Sequence, residues 1–221
     1  MRLEASLESI MTSRYERLIF GTHALSRQGR ADDYSTDLLN SPIADSEVQK
    51  LGGREIAMVT EAFQVHLATV SPAGWPYVQY RSGPGGFIRH LGDQTIAFAD
   101  HQGNRQFASV GNIESNGKVA LFIADMPLRK RLKLLGTARV IDASTDPELL
   151  ERLSRLDDGA RIAARGERSI VIEVEAFDWN CSRSLIPQYT EDQVKQRITP
   201  LVDEIHQLRA QVEQLERGAI Q

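Results

Sequence analysis

Hydrophobic and polar positions change their period twice along this chain. From Phe63 to Val70 the β-favouring residues Val65, Leu67, Thr69 and Val70 run into Ser71-Pro72-Ala73-Gly74, a turn signal, and a second run follows from Trp75 to Ser82. The pattern predicts a hairpin. Further strands are expected at Gly86 to Leu91, Thr95 to Ala99, Lys118 to Ala124, Arg131 to Asp142 and Ser169 to Phe177, with short helices near Arg105 to Ile113 and Pro147 to Leu156. Six or seven strands joined by such short helices favour a closed antiparallel barrel over a parallel sheet with crossover helices.

Both flanks read differently. Leu7, Ile10 and Met11 have helical spacing, Ser26 to Asp45 is rich in Gly, Asp, Ser and Pro and reads as loop, and a helix is expected from Ser46 to about Thr60. In that helix Ser46 would be the N-cap and the Gly52-Gly53 pair should weaken the middle. Near the C-terminus, Thr190-Glu191-Asp192-Gln193 has capping-box spacing. Behind it Val194, Ile198, Leu201, Ile205, Leu208, Val212 and Leu215 recur at alternating steps of four and three, a heptad seam. Pro200 lacks the backbone donor, so a fresh helix is expected after Thr199, which leaves little more than two heptads beyond it. Such a helix could pack on its own barrel or against a second copy. The expected organisation is an arm over 1–54, a barrel over 55–181 and a helical extension over 182–221.

Composition narrows the function classes. Of 221 residues, 41% are hydrophobic and 25% charged, as in ordinary globular proteins. A net charge of −4 and an isoelectric point near 5.8 argue against a general nucleic-acid binder. The single cysteine, Cys181, excludes an internal disulfide and a cysteine-based zinc site. No apolar run approaches the roughly 20 residues that span a bilayer, and Met1 to Ile10 carries charges where a signal peptide has its apolar core. A cytoplasmic protein with no membrane partner is expected.

The stretch Ala97 to Arg105, Ala-Phe-Ala-Asp-His-Gln-Gly-Asn-Arg, carries the most specific chemistry. An apolar strand enters a polar turn closed by Gly103, and a helix-like segment is expected from Asn104. A helix N-terminus leaves amide donors unpaired and carries partial positive charge, which suits an anionic phosphate, and Arg105 adds a planar, permanently charged fork. On the strand before it, period two places Tyr77, Gln79 and Arg81 on one face. The same alternation groups Arg129, Arg131 and Lys133, where one or two cations could reach a phosphate or a ring carbonyl. Trp179 ends a strand and could stack on a ring, although core or rim packing is the commoner role. The five histidines show no metal-ligand spacing, so no metal is expected; His101 is notable because it adjoins the turn.

The order of elements, from the hairpin strand Gly-Trp-Pro-Tyr-Val-Gln-Tyr-Arg through Ile-Ala-Phe-Ala-Asp, Gly-Asn-Arg-Gln-Phe and Val-Ala-Leu-Phe-Ile to Arg-Leu-Lys-Leu-Leu-Gly-Thr-Ala-Arg-Val, resembles the pyridoxamine 5′-phosphate oxidase-like family of FMN-binding split barrels. The similarity covers about residues 55 to 181. It implies a mainly β fold, a homodimer with two FMN molecules at the subunit interface, and a flavin-dependent oxidoreductase acting on an unidentified small molecule. Carried over by position, it implies that Gln79, Tyr80 and Arg81 line the flavin and its phosphate. Ala99 and Asp100 would sit at a strand end beside the ring, and Asn104, Arg105 and Gln106 would form the phosphate turn. Arg131 would contact the flavin from another strand, with Trp179 a looser aromatic match.

The departures from the family pattern are equally informative. Gln79 stands where the true oxidases have arginine, Gln106 where they have lysine and Pro84 where a substrate-contacting lysine is expected. After Trp179 the chain reads Asn-Cys-Ser-Arg-Ser-Leu, without the Arg-x-His that grips pyridoxal phosphate. Relatives that share Asn-Cys continue with His and Arg where this chain has Ser184 and Gln188. Vitamin B6 oxidation is therefore not what the resemblance implies. A deazaflavin or haem remains an alternative to FMN. Non-catalytic flavin binding, as a sensor or store, and a coiled-coil adaptor with a barrel scaffold are the alternative functions.

Overall fold

The computed structural model describes residues 13–29, 48–162, 165–180, 183 and 185–218. They fall into two compact units, residues 1–125 with 130–182 and residues 126–129 with 183–221. Leu7, Ile10, Met11, Ser46, Cys181 and Ser184 lie outside the described residues.

The first unit is built on seven strands: β1 (Gln64–Val70), β2 (Pro76–Ser82), β3 (Ile88–Gly92), β4 (Thr95–His101), β5 (Lys118–Asp125), β6 (Lys130–Asp142) and β7 (Gly166–Asn180). They form one antiparallel sheet in the order β2-β1-β5-β6-β7-β4-β3. The expected hairpin is β1–β2. Its turn is closed by the Gly74 amide on the Ser71 carbonyl at 2.8 Å, with the Trp75 amide on Ser71 Oγ at 3.1 Å. Gly74 takes φ +83°, which a side chain rarely adopts.

Alternation decides which side chains form the core. Val65 and Leu67 of β1, Leu121 and Ile123 of β5, and Leu132 and Leu134 of β6 point inward with Ile170, Ile172 and Val174 of β7. β4 is buried on both faces, so its sequence is a continuous apolar run. Ile96 and Phe98 enter this core, whereas Ala97 and Ala99 pack against Leu150 and Leu153 of a short helix, α5 (Pro147–Leu153). Asp146 caps that helix by accepting the Leu149 amide at 2.8 Å.

Before β1 come α1 (Arg14–Ile19), α2 (Thr22–Arg27) and α3 (Gly53–Thr60). The helix expected from Ser46 starts only at Gly53. The Gly52-Gly53 pair begins the helix rather than weakening its middle: the Glu55 carboxylate returns to the Gly52 amide at 3.0 Å and closes the first turn. Ser26 and Arg27, expected in a loop, belong to α2. The arm packs on the barrel through α1. Tyr15 is buried, its amide and that of Phe177 both donate to Gln49 Oε1 at 3.2 and 3.1 Å, and Arg14 Nη2 lies 2.8 Å from Glu175 Oε2.

A further correction concerns the helix after β4. It was expected from about Asn104, but α4 spans Ala108–Asn116. Arg105 (φ +61°) and Phe107 (φ +52°) are left-handed, which breaks the helical path.

In the second unit the helix α6 (Glu191–Gly218) runs 28 residues without interruption through Pro200. A break at Thr199 does not occur. The carbonyl of Gln196, deprived of the proline N–H it would have accepted, belongs to an exposed residue where water can serve instead. The expected capping box is present: the Gln193 amide donates to Thr190 Oγ1 at 3.2 Å and the Thr190 amide to Gln193 Oε1 at 2.9 Å. Among the described residues no helix is long and apolar enough to cross a membrane.

Two substitutions test these contacts. A Cβ on Gly136, at the β6–β7 bulge, would run into the carbonyl oxygen of Glu173. Gly136→Ala should cost about 2 kcal/mol in denaturant unfolding. The hydrogen bond from Arg14 holds the Glu175 carboxyl below its ordinary value of 4.5; burial opposes this and the Thr137 hydroxyl adds to it. A depressed folded-state value contributes stability above the unfolded value, lost as pH falls through the folded one. Glu175→Gln should therefore lose about 1 kcal/mol at neutral pH, and its gap from wild type should close in unfolding curves taken progressively below pH 4.5.

Candidate functional site

The sheet curls until its ends approach each other, and among the described residues no ladder joins β2 to β3 or β4. An ion pair spans this split instead. Arg81 Nη2, at the end of β2, lies 3.0 Å from Asp100 Oδ1 at the end of β4. The other carboxylate oxygen, Oδ2, accepts Arg168 Nη1 from the start of β7, also at 3.0 Å. Asp100 is 5% exposed, so its charge depends on both guanidiniums for compensation. Arg168 is held further by Glu167 at 2.8 Å, and its Cζ lies 5.1 Å from the Phe107 ring centre.

A cleft opens beside this triad, lined by β2 side chains, the loop from His101 to Phe107, and the first turn of α4. The loop is shaped by Asn104, whose Oδ1 accepts the Gln106 amide at 3.2 Å. Ser109 Oγ donates to Gln79 Oε1 at 2.9 Å and fastens α4 to β2. Deeper in the same helix, Asn112 Nδ2 donates to Thr69 Oγ1 at 2.9 Å.

Three features leave the cleft suited to an anion. Phe107, at the N-cap of α4, supplies no side-chain acceptor, so the first-turn amides of Ala108, Ser109 and Val110 keep their donors. Arg105 is exposed and makes no ion pair among the described residues. Arg81 Nε and His101 Nδ1 are buried polar atoms without a hydrogen-bond partner among the described residues. The lining holds Arg81, Arg105 and Arg168 against Asp100 and Glu167, an excess of positive charge in a protein that is acidic as a whole.

The anion-binding argument drawn from Asn104 thus moves to Ala108, four residues on, while Asn104, Arg105 and Gln106 remain on the loop that precedes the helix. The structure also brings Gln79, Arg81 and Asp100 to the cleft. It does not bring Tyr80, which points to the opposite face of β2, donates to Gln64 Oε1 at 3.2 Å and meets the His66 ring edge-on at 5.8 Å. Ala99 turns its side chain into the α5 cluster.

Arg131 and Trp179 stand at the other end of β6 and β7, where Arg131 faces Asn180 and Leu132 faces Trp179. Arg168 and Asn180 are separated along β7 by about 40 Å of strand at roughly 3.3 Å per residue. Trp179 is also engaged locally: its Nε1 donates to Glu55 Oε1 at 2.7 Å and the Arg54 guanidinium lies 3.9 Å over its ring. Of the three cations expected together on β6, Arg129 precedes the strand, and Lys133 pairs with Asp178 at 2.9 Å. Burial opposes the Lys133 charge, but hydrogen bonds to Asp178 and Tyr15 outweigh it and raise its affinity for the proton.

Sequence reasoning missed Ser109, Glu167 and Arg168. Ser109 could have been found from its place in a helix's first turn. For Arg168 there was no local signal, since only the β4–β7 register, Asp100 opposite Arg168, makes it a neighbour. Among the described residues no group of His, Cys, Asp and Glu side chains is disposed to hold a metal ion.

A split antiparallel barrel with an anion-receptive cleft at its seam defines the class. The sequence model of the pyridoxamine 5′-phosphate oxidase family matches residues 55–207, and the chain belongs to that family. No functionally curated protein matches the sequence. Similar solved structures include HupZ from Group A Streptococcus, 18% identical, covering 63% of this chain and 100% of that one with a TM-score of 0.46. A candidate pyridoxamine 5′-phosphate oxidase from Lactobacillus delbrueckii is 22% identical over 58% of this chain and 93% of its own, with a TM-score of 0.43. An F420 reductase is 23% identical over 55% and 93%, with a TM-score of 0.41.

Removing the shared carboxylate should be severe. Asp100→Ala leaves two guanidiniums in the seam without their anion, and a loss of about 3–5 kcal/mol is expected. The midpoint of urea unfolding measures it, with Asp100→Asn falling between mutant and wild type.

Proposed function

We propose that this protein is an FMN-dependent oxidoreductase that works as a homodimer on a small organic substrate. The observation that carries the reading is the uncapped first turn of α4 opening onto a cleft with the unpaired Arg105 and the orphaned Arg81 Nε. These groups suit a phosphate monoester: two planar cation forks and a row of backbone amides are complementary to a dianion. Family membership supports placing a flavin there.

When bound, the flavin would supply the two-electron chemistry, exchanging hydride with the substrate at its reactive nitrogen. The chain's own residues position and compensate. Arg105 and the amides of Ala108 and Ser109 hold the phosphate; Asp100 fixes the orientation of Arg81 while cancelling part of its charge. Gln79, tied to Ser109, keeps the strand and the helix end in register. The Nδ1 of His101, which lines the cleft and has no hydrogen-bond partner among the described residues, is a further polar atom open to a ligand. Arg131 and Trp179, remote from this cleft within one chain, can take the roles expected of them only from the second copy in the dimer.

The test is Arg105→Ala. Loss of one charge-assisted contact should weaken flavin binding by about tenfold to a hundredfold, from roughly 1.5–3 kcal/mol, measured by fluorescence titration and by the flavin that copurifies. Unchanged occupancy would remove Arg105 from the phosphate site. The mass of the copurified ligand separates FMN from a deazaflavin or haem. Steady-state reoxidation of the reduced flavin by organic acceptors separates an enzyme from a storage or sensor protein.

A further inference from the structure

The unbroken α6 changes what its apolar stripe can do. Its 28 residues make four heptads, and Val194, Leu201, Leu208 and Leu215 fall at one core position while Ile198, Ile205 and Val212 fall at the other. Every one of these side chains is exposed, from 40% for Val194 to 74% for Leu215. A helix with such a seam gains most of its stability by packing the apolar stripe against a partner.

We propose that α6 pairs with the α6 of a second copy as a parallel, in-register, two-stranded coiled coil. This interface is independent of the flavin reading. β-Branched residues at the first core position with leucine at the second are the arrangement that selects two parallel strands. The flanking charges agree. In the parallel register Glu204 stands across from Arg209 of the other copy, and symmetry makes the pair twice. Among the described residues neither makes an ion pair, in contrast to Lys195 with Glu191 and Arg217 with Glu213. Pro200 falls on the outer side of the heptad, away from the seam, so the missing amide does not interrupt the interface.

Disulfide trapping in the full chain tests the register. In a Cys181→Ser background, Leu215→Cys should give a covalent dimer under mild oxidation, because identical core positions face each other only in the parallel, in-register pair. Ala210→Cys, on the outer face, should crosslink at least tenfold more slowly. Glu204→Arg should slow trapping at position 215 about fivefold, and the double reversal Glu204→Arg with Arg209→Glu should restore it. Equal trapping at 210 and 215, or none at 215, would overturn the proposal. So would trapping at 215 that is indifferent to both charge reversals.

Discussion

The barrel closes where hydrogen-bond ladders end, and the closure depends on one carboxylate. Asp100 receives Arg81 from β2 and Arg168 from β7, joining two strands that lie far apart in sheet order. A buried carboxylate between two arginines is stable only while both remain, because each unpaired charge in the seam would cost several kcal/mol. The seam is therefore rigid in its chemistry although it is open in its backbone. Trp179 and Glu55 brace the opposite end of β7, where the carboxylate also completes the first turn of α3.

The candidate site follows from that closure. With Asp100 consumed by Arg81 and Arg168, what remains available to a ligand is Arg105, the Nε of Arg81, His101 and the amides of α4. The left-handed residues Arg105 and Phe107 delay the helix start to Ala108, and the first turn of the helix lines the cleft. An acidic protein thus presents a locally basic pocket. Within it Gln79 serves as the acceptor for Ser109.

Much of the architecture was legible because alternation and burial coincide. The strand positions were readable within a few residues, since β1, β5 and β6 have one dry and one wet face, and β4 betrayed its double burial by a continuous apolar run. Helix starts were less legible. Gly52-Gly53 has the same composition whether it weakens a helix or begins one, and the returning Glu55 side chain decides between them. Asn104 has the sequence features of a cap, yet its side chain is spent on an Asx turn two residues away from itself. In the site, Arg81 and Arg105 were readable as cations near a turn. Tyr80 and Ala99 adjoin Gln79, Arg81 and Asp100 in sequence, but their side chains face away from the cleft.

By itself the sequence determined the family, a barrel of six or seven antiparallel strands and the apolar stripe of the last helix, because these depend on periodicity and element order, which are local properties. Tertiary structure alone decided which charges meet. Arg168 lies 68 residues from Asp100 along the chain, and only the register of β4 on β7 together with the curl of the sheet places Arg81 on the same carboxylate. It also decided that α6 continues through Pro200, because one missing hydrogen bond on an exposed face does not undo the bonds on either side.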